Sequence, residues 1–143
     1  MPKAFSLCKD ERLYLREAIS ELFAKGSSFT VFPYRIIYNV LPEDDPQVAR
    51  VAIMTIAPKK KFKHAVDRNH VKRLTREAYR INKLPLIEAF ENAGKKLQVA
   101  FIYSHNQHIT FQETEKHISK GIQLIMKKGL KKAIANNEKS AES

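Results

Sequence analysis

Residues 59–80 read KKKFKHAVDRNHVKRLTREAYR, a lysine cluster running into a strongly basic stretch of helical period. Arg68, Lys72, Arg76 and Arg80 recur at every fourth position. Four residues advance a 3.6-residue helix by only about 40°, so these side chains form one slowly turning stripe. Arg73 widens the stripe, and Asn69 and Tyr79 fall within the same arc. Val71, Leu74, Ala78 and Ile81, spaced 3-4-3, lie opposite and predict the packing face. Asp67 precedes the stripe and is expected to cap the helix, where a carboxylate accepts backbone N–H groups and suits the dipole.

From Lys59 to Lys83 there are ten basic residues against two acids, Asp67 and Glu77, so this segment holds most of the formal net charge of +11. Charge runs are commonly no more than solvated faces. Here the excess has one sign, and only Glu77, near Arg73 and Arg80, stands at a spacing that neutralises it. Arginine outnumbers lysine on the helix, which suits bidentate contact with phosphate. An Asn and a Tyr among the cations add hydrogen-bonding and stacking capacity. A face of this density calls for a polyanion, and nucleic acid is the expected partner.

Working outward, 143 residues make one domain with room for a single core. A hydrophobic fraction of 43% argues against disorder, and 29% charged residues with a pI near 9.8 fit a basic soluble protein. Cys8 is the one cysteine, so no internal disulfide forms, in keeping with a reducing cytosol, and it reads as an idle thiol. The N-terminal MPKAFSLCKDERL has no signal-peptide core and no apolar run reaches spanning length; a cytoplasmic protein is expected.

A first helix is predicted from about Lys9 to Lys25, with Leu15, Ala18, Ile19, Leu22 and Phe23 as its apolar stripe and Gly26 as its stop. Tyr34–Leu41 and Val48–Ile56 are dense in β-branched and aromatic residues and read as strands, joined by the turn LPEDDPQ. Leu84 to Asn92 is helix-like, with Pro85 at its start, and Leu97–Tyr103 reads as a buried strand. Thr110–Glu113 has capping-box spacing and opens a last helix that buries Phe111, Ile118, Ile122 and Ile125 and frays near Gly129. Residues 1–130 thus form one RNA-binding α+β domain of sheet packed against helices, and 131–143 a basic, mobile tail. The element order from pattern alone is α-β-β-α-β-α, with room for one further strand.

Catalytic signatures are wanting. P-loop, GxGxxG, HExxH and G-x-S-x-G patterns do not occur. His105 and His108 lack cysteine or acidic partners at zinc-site spacing and read as loop residues, and Glu113 and Glu115 as first-turn helix acids. A nuclease acting alone is disfavoured, because no acidic metal cluster is visible. No catalytic residue and no metal ligand is expected in this chain.

The segment Ala65–Arg80, AVDRNHVKRLTREAYR, resembles the RNR motif of the bacterial ribonuclease P protein component, usually AVxRNRxKRxxREaFR. Arg50-Val51, a strand and then Pro58-Lys59-Lys60 are similar to that family's strand leading into a basic turn, and Ile19-x3-Phe23-x2-Gly26 to its F-x3-F-x2-G. The resemblance covers roughly residues 7–128. Three positions depart from the pattern: His70 replaces the second arginine, Lys63-His64 stand where a glycine is common, and Ile19 stands in place of an aromatic.

What the resemblance implies is an α-β-β-β-α-β-α fold with a left-handed crossover, in a small subunit that joins a large catalytic RNA. The holoenzyme removes the 5′ leader of precursor tRNA with Mg2+ held mainly by the RNA, the protein binding no cofactor of its own. Lys59, Lys60, Lys61, Lys63, Arg68, Asn69, His70, Lys72, Arg73, Arg76 and Arg80 would then contact the catalytic RNA. Phe23, Tyr34 and Tyr38 would hold the single-stranded leader in a cleft of sheet and helix, since unpaired strands are gripped by aromatic platforms and a positive groove. The alternative from a different class is a ribosomal or other structural RNA-binding protein that processes nothing.

Overall fold

Glycine decides where the first helix can meet the sheet. Helix α1 (Arg16–Lys25) has Glu17 in its first turn and Lys25 in its last, matching its dipole, and ends before Gly26. A Cβ at Gly26 would lie 2.8 Å from Ile37 Cγ2 and 3.0 Å from the Tyr38 carbonyl oxygen, so a side chain there would push the helix end off the strand. The computed structural model describes residues 11–13, 16–47 and 49–142. Cys8 and the expected helix start at Lys9 lie outside the described residues. Residues 11–13 are not part of the helix: Arg12 pairs in parallel with Ile53, and the Leu13 N–H donates to the Ile53 carbonyl at 2.6 Å.

Strand β1 (Ser27–Val31) follows at once and turns through Phe32 and Pro33 into β2 (Tyr34–Pro42), with Val31 opposite Tyr34 and Ser27 opposite Tyr38. β3 (Val51–Ile56) leads through the basic turn into α2 (Ala65–Asn82), then α3 (Leu84–Ala93), β4 (Lys95–Tyr103) and α4 (Phe111–Glu142). The sheet order is β1-β2-β4-β3; β4 is antiparallel to β2 and parallel to β3, so α2 and α3 together make the crossover. The expected α+β order is therefore present, and the helix-like stretch expected from Leu84 to Asn92 is α3, between α2 and β4. Pro85 sits in the first turn of α3, where its missing N–H costs nothing. Gly94 closes that helix at φ +66°, a conformation glycine adopts without strain, and its N–H returns to the Glu91 carbonyl at 3.1 Å.

One sheet face carries Ile36, Tyr38, Leu97, Val99, Phe101 and Tyr103 into the main core, against Val71, Ala78 and Tyr79 of α2, Leu86 and Phe90 of α3, and Ile118, Ile122 and Ile125 of α4. The other face forms a smaller cluster of Leu22, Ile37 and Ala100, with Leu13, Met54 and Ile102 packed on it. Thr110 caps α4 by accepting the Glu113 N–H at 3.1 Å. That helix continues past Gly129, the expected point of fraying, to Glu142; Gly129 is buried beside Phe90, so its lack of a side chain serves packing. Among the described residues no helix is long and apolar enough to cross a membrane.

Candidate nucleic-acid interface

The basic turn is built before the helix begins. The Pro58 carbonyl accepts the N–H groups of Lys61 and Phe62 at 3.1 and 3.3 Å, while the Phe62 ring is buried in the core. That leaves Lys59, Lys60, Lys61 and Lys63 exposed on a fixed loop. Arg68 holds the loop from the other side: its Nη1 donates to the carbonyls of Phe62 and Lys63, both at 2.9 Å. One nitrogen of the first arginine of the stripe is thus taken up by the fold.

Asp67 does not cap the helix. The N-cap is His64, without a side-chain hydrogen bond, and Asp67 lies in the first turn, where its carboxylate meets His108 Nε2 at 3.1 Å. The position still suits the helix dipole. His70 is half-buried; Arg73 Nη2 donates to its Nδ1 at 3.4 Å, and its ring lies edge-on to His108 with centroids 5.3 Å apart.

Beyond this first turn the stripe faces outward. Asn69 and Arg73 are exposed, Lys72 and Arg76 half-buried, and Arg80 pairs with Glu77 at 2.8 Å. The buried side of α2 is Val71, Thr75, Ala78 and Tyr79. Two expectations change accordingly. Tyr79 has no exposed surface and belongs to the core, its phenol pushed up by burial, whereas Ile81, expected to pack, is 39% exposed. The packing direction is rotated toward residue 79, because the sheet lies under that flank of the helix.

Tyr34 and Tyr38 are corrected in the same sense. Tyr34 retains 1% of its surface and Tyr38 5%. The Thr75 hydroxyl donates to the Val71 carbonyl at 2.9 Å, so the Tyr34 hydroxyl donates to Thr75 Oγ1, at 2.7 Å. Burial raises the Tyr34 pKa above the ordinary phenol value. Tyr38 packs its ring 5.9 Å from that of Phe29. Neither offers an open face for a nucleobase. Phe23 does: it is 45% exposed on α1.

A groove of about 250 Å³ opens between the residue 11–13 segment, the β3 edge and α2, lined by Leu13, Ile53 and Met54 and by Arg12, Lys72 and Arg76. Burial, and then the nearby Arg12 guanidinium, hold the Arg76 pKa below its usual value; an arginine remains charged regardless. Arg12 escapes sequence reasoning, because only the pairing with Ile53 brings it to α2. Among the described residues, no group of three or more His, Cys, Asp or Glu side chains could hold a metal ion.

The fold and its outward basic stripe define a small basic α+β domain with a cationic crossover helix. Residues 7–126 match the family model described as Ribonuclease P. The "Ribonuclease P protein component" of Porphyromonas gingivalis strain W83 is 37% identical over 121 residues, covering 85% of this chain and 87% of the relative. The protein of the same name from Chlorobaculum tepidum is 36% identical over 94 residues, 62% of this chain and 60% of the relative. The chain belongs to the ribonuclease P protein family, and it is a subunit of the tRNA 5′-processing holoenzyme. The RNase P protein of Thermotoga maritima shares the fold, with a TM-score of 0.61 at 19% identity over 80% of this chain and 97% of that one. That of Staphylococcus aureus gives 0.62 at 15% identity, over 80% and 94%.

Proposed function

We propose that α2 and the basic turn before it bind the backbone of the catalytic RNA. Lys59, Lys60, Lys61, Lys63, Asn69, Lys72, Arg73, Arg76 and Arg80 make the contacts, and Arg68 acts mainly by holding the turn. The observation that carries this reading is the outward stripe itself: Arg73 and Asn69 are exposed on the helix, and the four lysines stand on a loop clamped by Arg68. Arginine forks and lysine ammonium groups on a rigid element neutralise phosphates at little ordering cost.

The 5′ leader of precursor tRNA is assigned to the groove beside β3. Arg12, Lys72 and Arg76 supply positive charge there, and Leu13, Ile53 and Met54 supply an apolar wall. Phe23, exposed on α1, is the aromatic candidate on the leader's path. In this reading the protein places RNA and substrate, and Mg2+ chemistry belongs to the RNA partner, in the cytoplasm.

Cleavage of a precursor tRNA by protein alone, catalytic RNA alone and both together at low Mg2+ tests the assignment. Efficient cleavage by the combination only is the expected result. Equal cleavage by the RNA with and without protein, at every Mg2+ concentration, would end it.

A further inference from the structure

The most exposed phenylalanine among the described residues is not on the basic helix. Phe32, at the tip of the β1–β2 hairpin, is 63% exposed. A ring left so far in water forgoes much of the gain that burial would bring. The tip is not a loose end. Pro33 is buried, and its carbonyl accepts both the N–H and the hydroxyl of Ser104, at 2.8 and 2.9 Å. His105 comes next in the chain, and its ring sits 5.2 Å from that of Phe32 at an angle of 60°.

Behind this pair the rings continue inward. His105 is 6.5 Å from Tyr103, Tyr103 is 5.8 Å from Phe62, and Phe62 is 4.9 Å from His108. Tyr103 donates its hydroxyl to the Gln107 carbonyl, and Asp67 holds His108, so both sides of the 104–109 loop are fixed. Exposed Arg35 stands one rung from the tip, opposite Thr30. A preorganised aromatic and imidazole pair with cations nearby has the chemistry of a nucleobase platform.

Topology says which RNA reaches it. The start of β2, the C-terminal ends of β3 and β4 and the hairpin tip all open on one end of the sheet. The Lys59–Lys63 turn leaves β3 at that same end. The leader groove instead lies along β3 at Ile53 and Met54, on the edge of the sheet opposite β1. We infer that Phe32 and His105 stack an unpaired base of the catalytic RNA whose backbone crosses the Lys59–Lys63 turn. This rests on the reading of α2 and that turn as the catalytic-RNA face.

The test is equilibrium binding of the full chain to the catalytic RNA, with leader-length dependence of precursor binding measured on the reconstituted holoenzyme. Phe32→Ala is expected to weaken RNA binding about tenfold with its salt slope unchanged, since stacking is lost but no phosphate contact is. Phe32→Leu should fail likewise, whereas Phe32→Trp should bind at least as well as wild type. His105→Ala should give a smaller loss. Wild-type affinity in Phe32→Ala, or full affinity in Phe32→Leu, would overturn the platform. A loss confined to long-leader substrates would overturn the choice of partner. Arg73→Ala serves as the control: if it too leaves RNA affinity unchanged, the α2 reading has failed, and if it alone weakens binding, only the platform has.

Discussion

The two sides of α2 carry similar chemistry to opposite ends. On the inner side, Arg68 donates to two backbone carbonyls, Thr75 anchors the Tyr34 hydroxyl, and Tyr79 is enclosed. On the outer side, Asn69 and Arg73 point to water, and Lys72 and Arg76 line the groove. Arg68 and Arg73 are five residues apart and the same residue type, yet the first donates to backbone carbonyls and the second faces solvent. Counting charges on a helix therefore overstates the number available to RNA. Substitutions on the inner side should act on stability, and substitutions on the outer side on binding and its salt dependence.

The largest effect is expected inside. Tyr79→Ala should destabilise the protein by about 3–5 kcal/mol in urea unfolding, as for other buried aromatics. Tyr79→Phe should be neutral or stabilising by about 1 kcal/mol, because the Tyr79 hydroxyl is buried without a hydrogen-bond partner among the described residues. A clear loss of stability in Tyr79→Phe would show that the hydroxyl is satisfied. Arg68→Ala comes next, at about 2 kcal/mol for two charge-assisted bonds. It should also weaken RNA binding, since the lysine turn loses its clamp. An unfolding midpoint equal to that of wild type would return Arg68 to the outer group.

These assignments show how far the sequence alone could be read. The helical period of 65–82 and the strand at 97–103 were legible, because burial writes itself into residue spacing. Which flank of α2 faces the sheet was not, since Tyr79 and Ile81 lie on opposite margins of the same stripe and only the sheet's position chooses between them. Tyr34 and Tyr38 alternate with Arg35, Ile37 and Asn39; with Ile37 also buried, on the α1 side, the pattern does not say which face holds the larger core. β1 escaped because Ser27, Ser28 and Thr30 give it little apolar signal, its pairing being by backbone. The Arg12 contribution to the groove depends on a pairing across some forty residues, beyond any local pattern.

On the outer side, effects should be smaller and specific. Phe23→Ala should leave the unfolding midpoint near wild type, because the ring is already half in solvent. It should weaken precursors with long leaders by about 1–3 kcal/mol per stacked base relative to those with one leader nucleotide. Equal losses for both substrates would place Phe23 outside the leader path. Arg73→Ala should shift stability by less than about 0.5 kcal/mol and reduce the slope of log affinity against log salt by up to about one unit. An unchanged slope would mean that Arg73 meets no phosphate.

His70 lies on the boundary between the two sides and should show the smallest effect. Its Nδ1 accepts from Arg73 at 3.4 Å, a long bond, and its ring abuts His108, which Asp67 holds in turn. An imidazole cannot supply arginine's five-donor fork, so a phosphate near this position is held mainly by Arg73. His70→Arg places a second guanidinium beside the first. In the free protein that costs a few tenths of a kcal/mol of like-charge repulsion, screened by salt. In the complex a phosphate between the two forks removes the repulsion and gains a contact. Affinity for the catalytic RNA should therefore rise at low salt, with the salt slope steeper by about 0.7–0.9 of a unit, and the gain should vanish as salt increases. A slope equal to that of wild type would mean that RNA does not reach residue 70, leaving His70 with the His108 and Phe62 rings on the inner side of the helix.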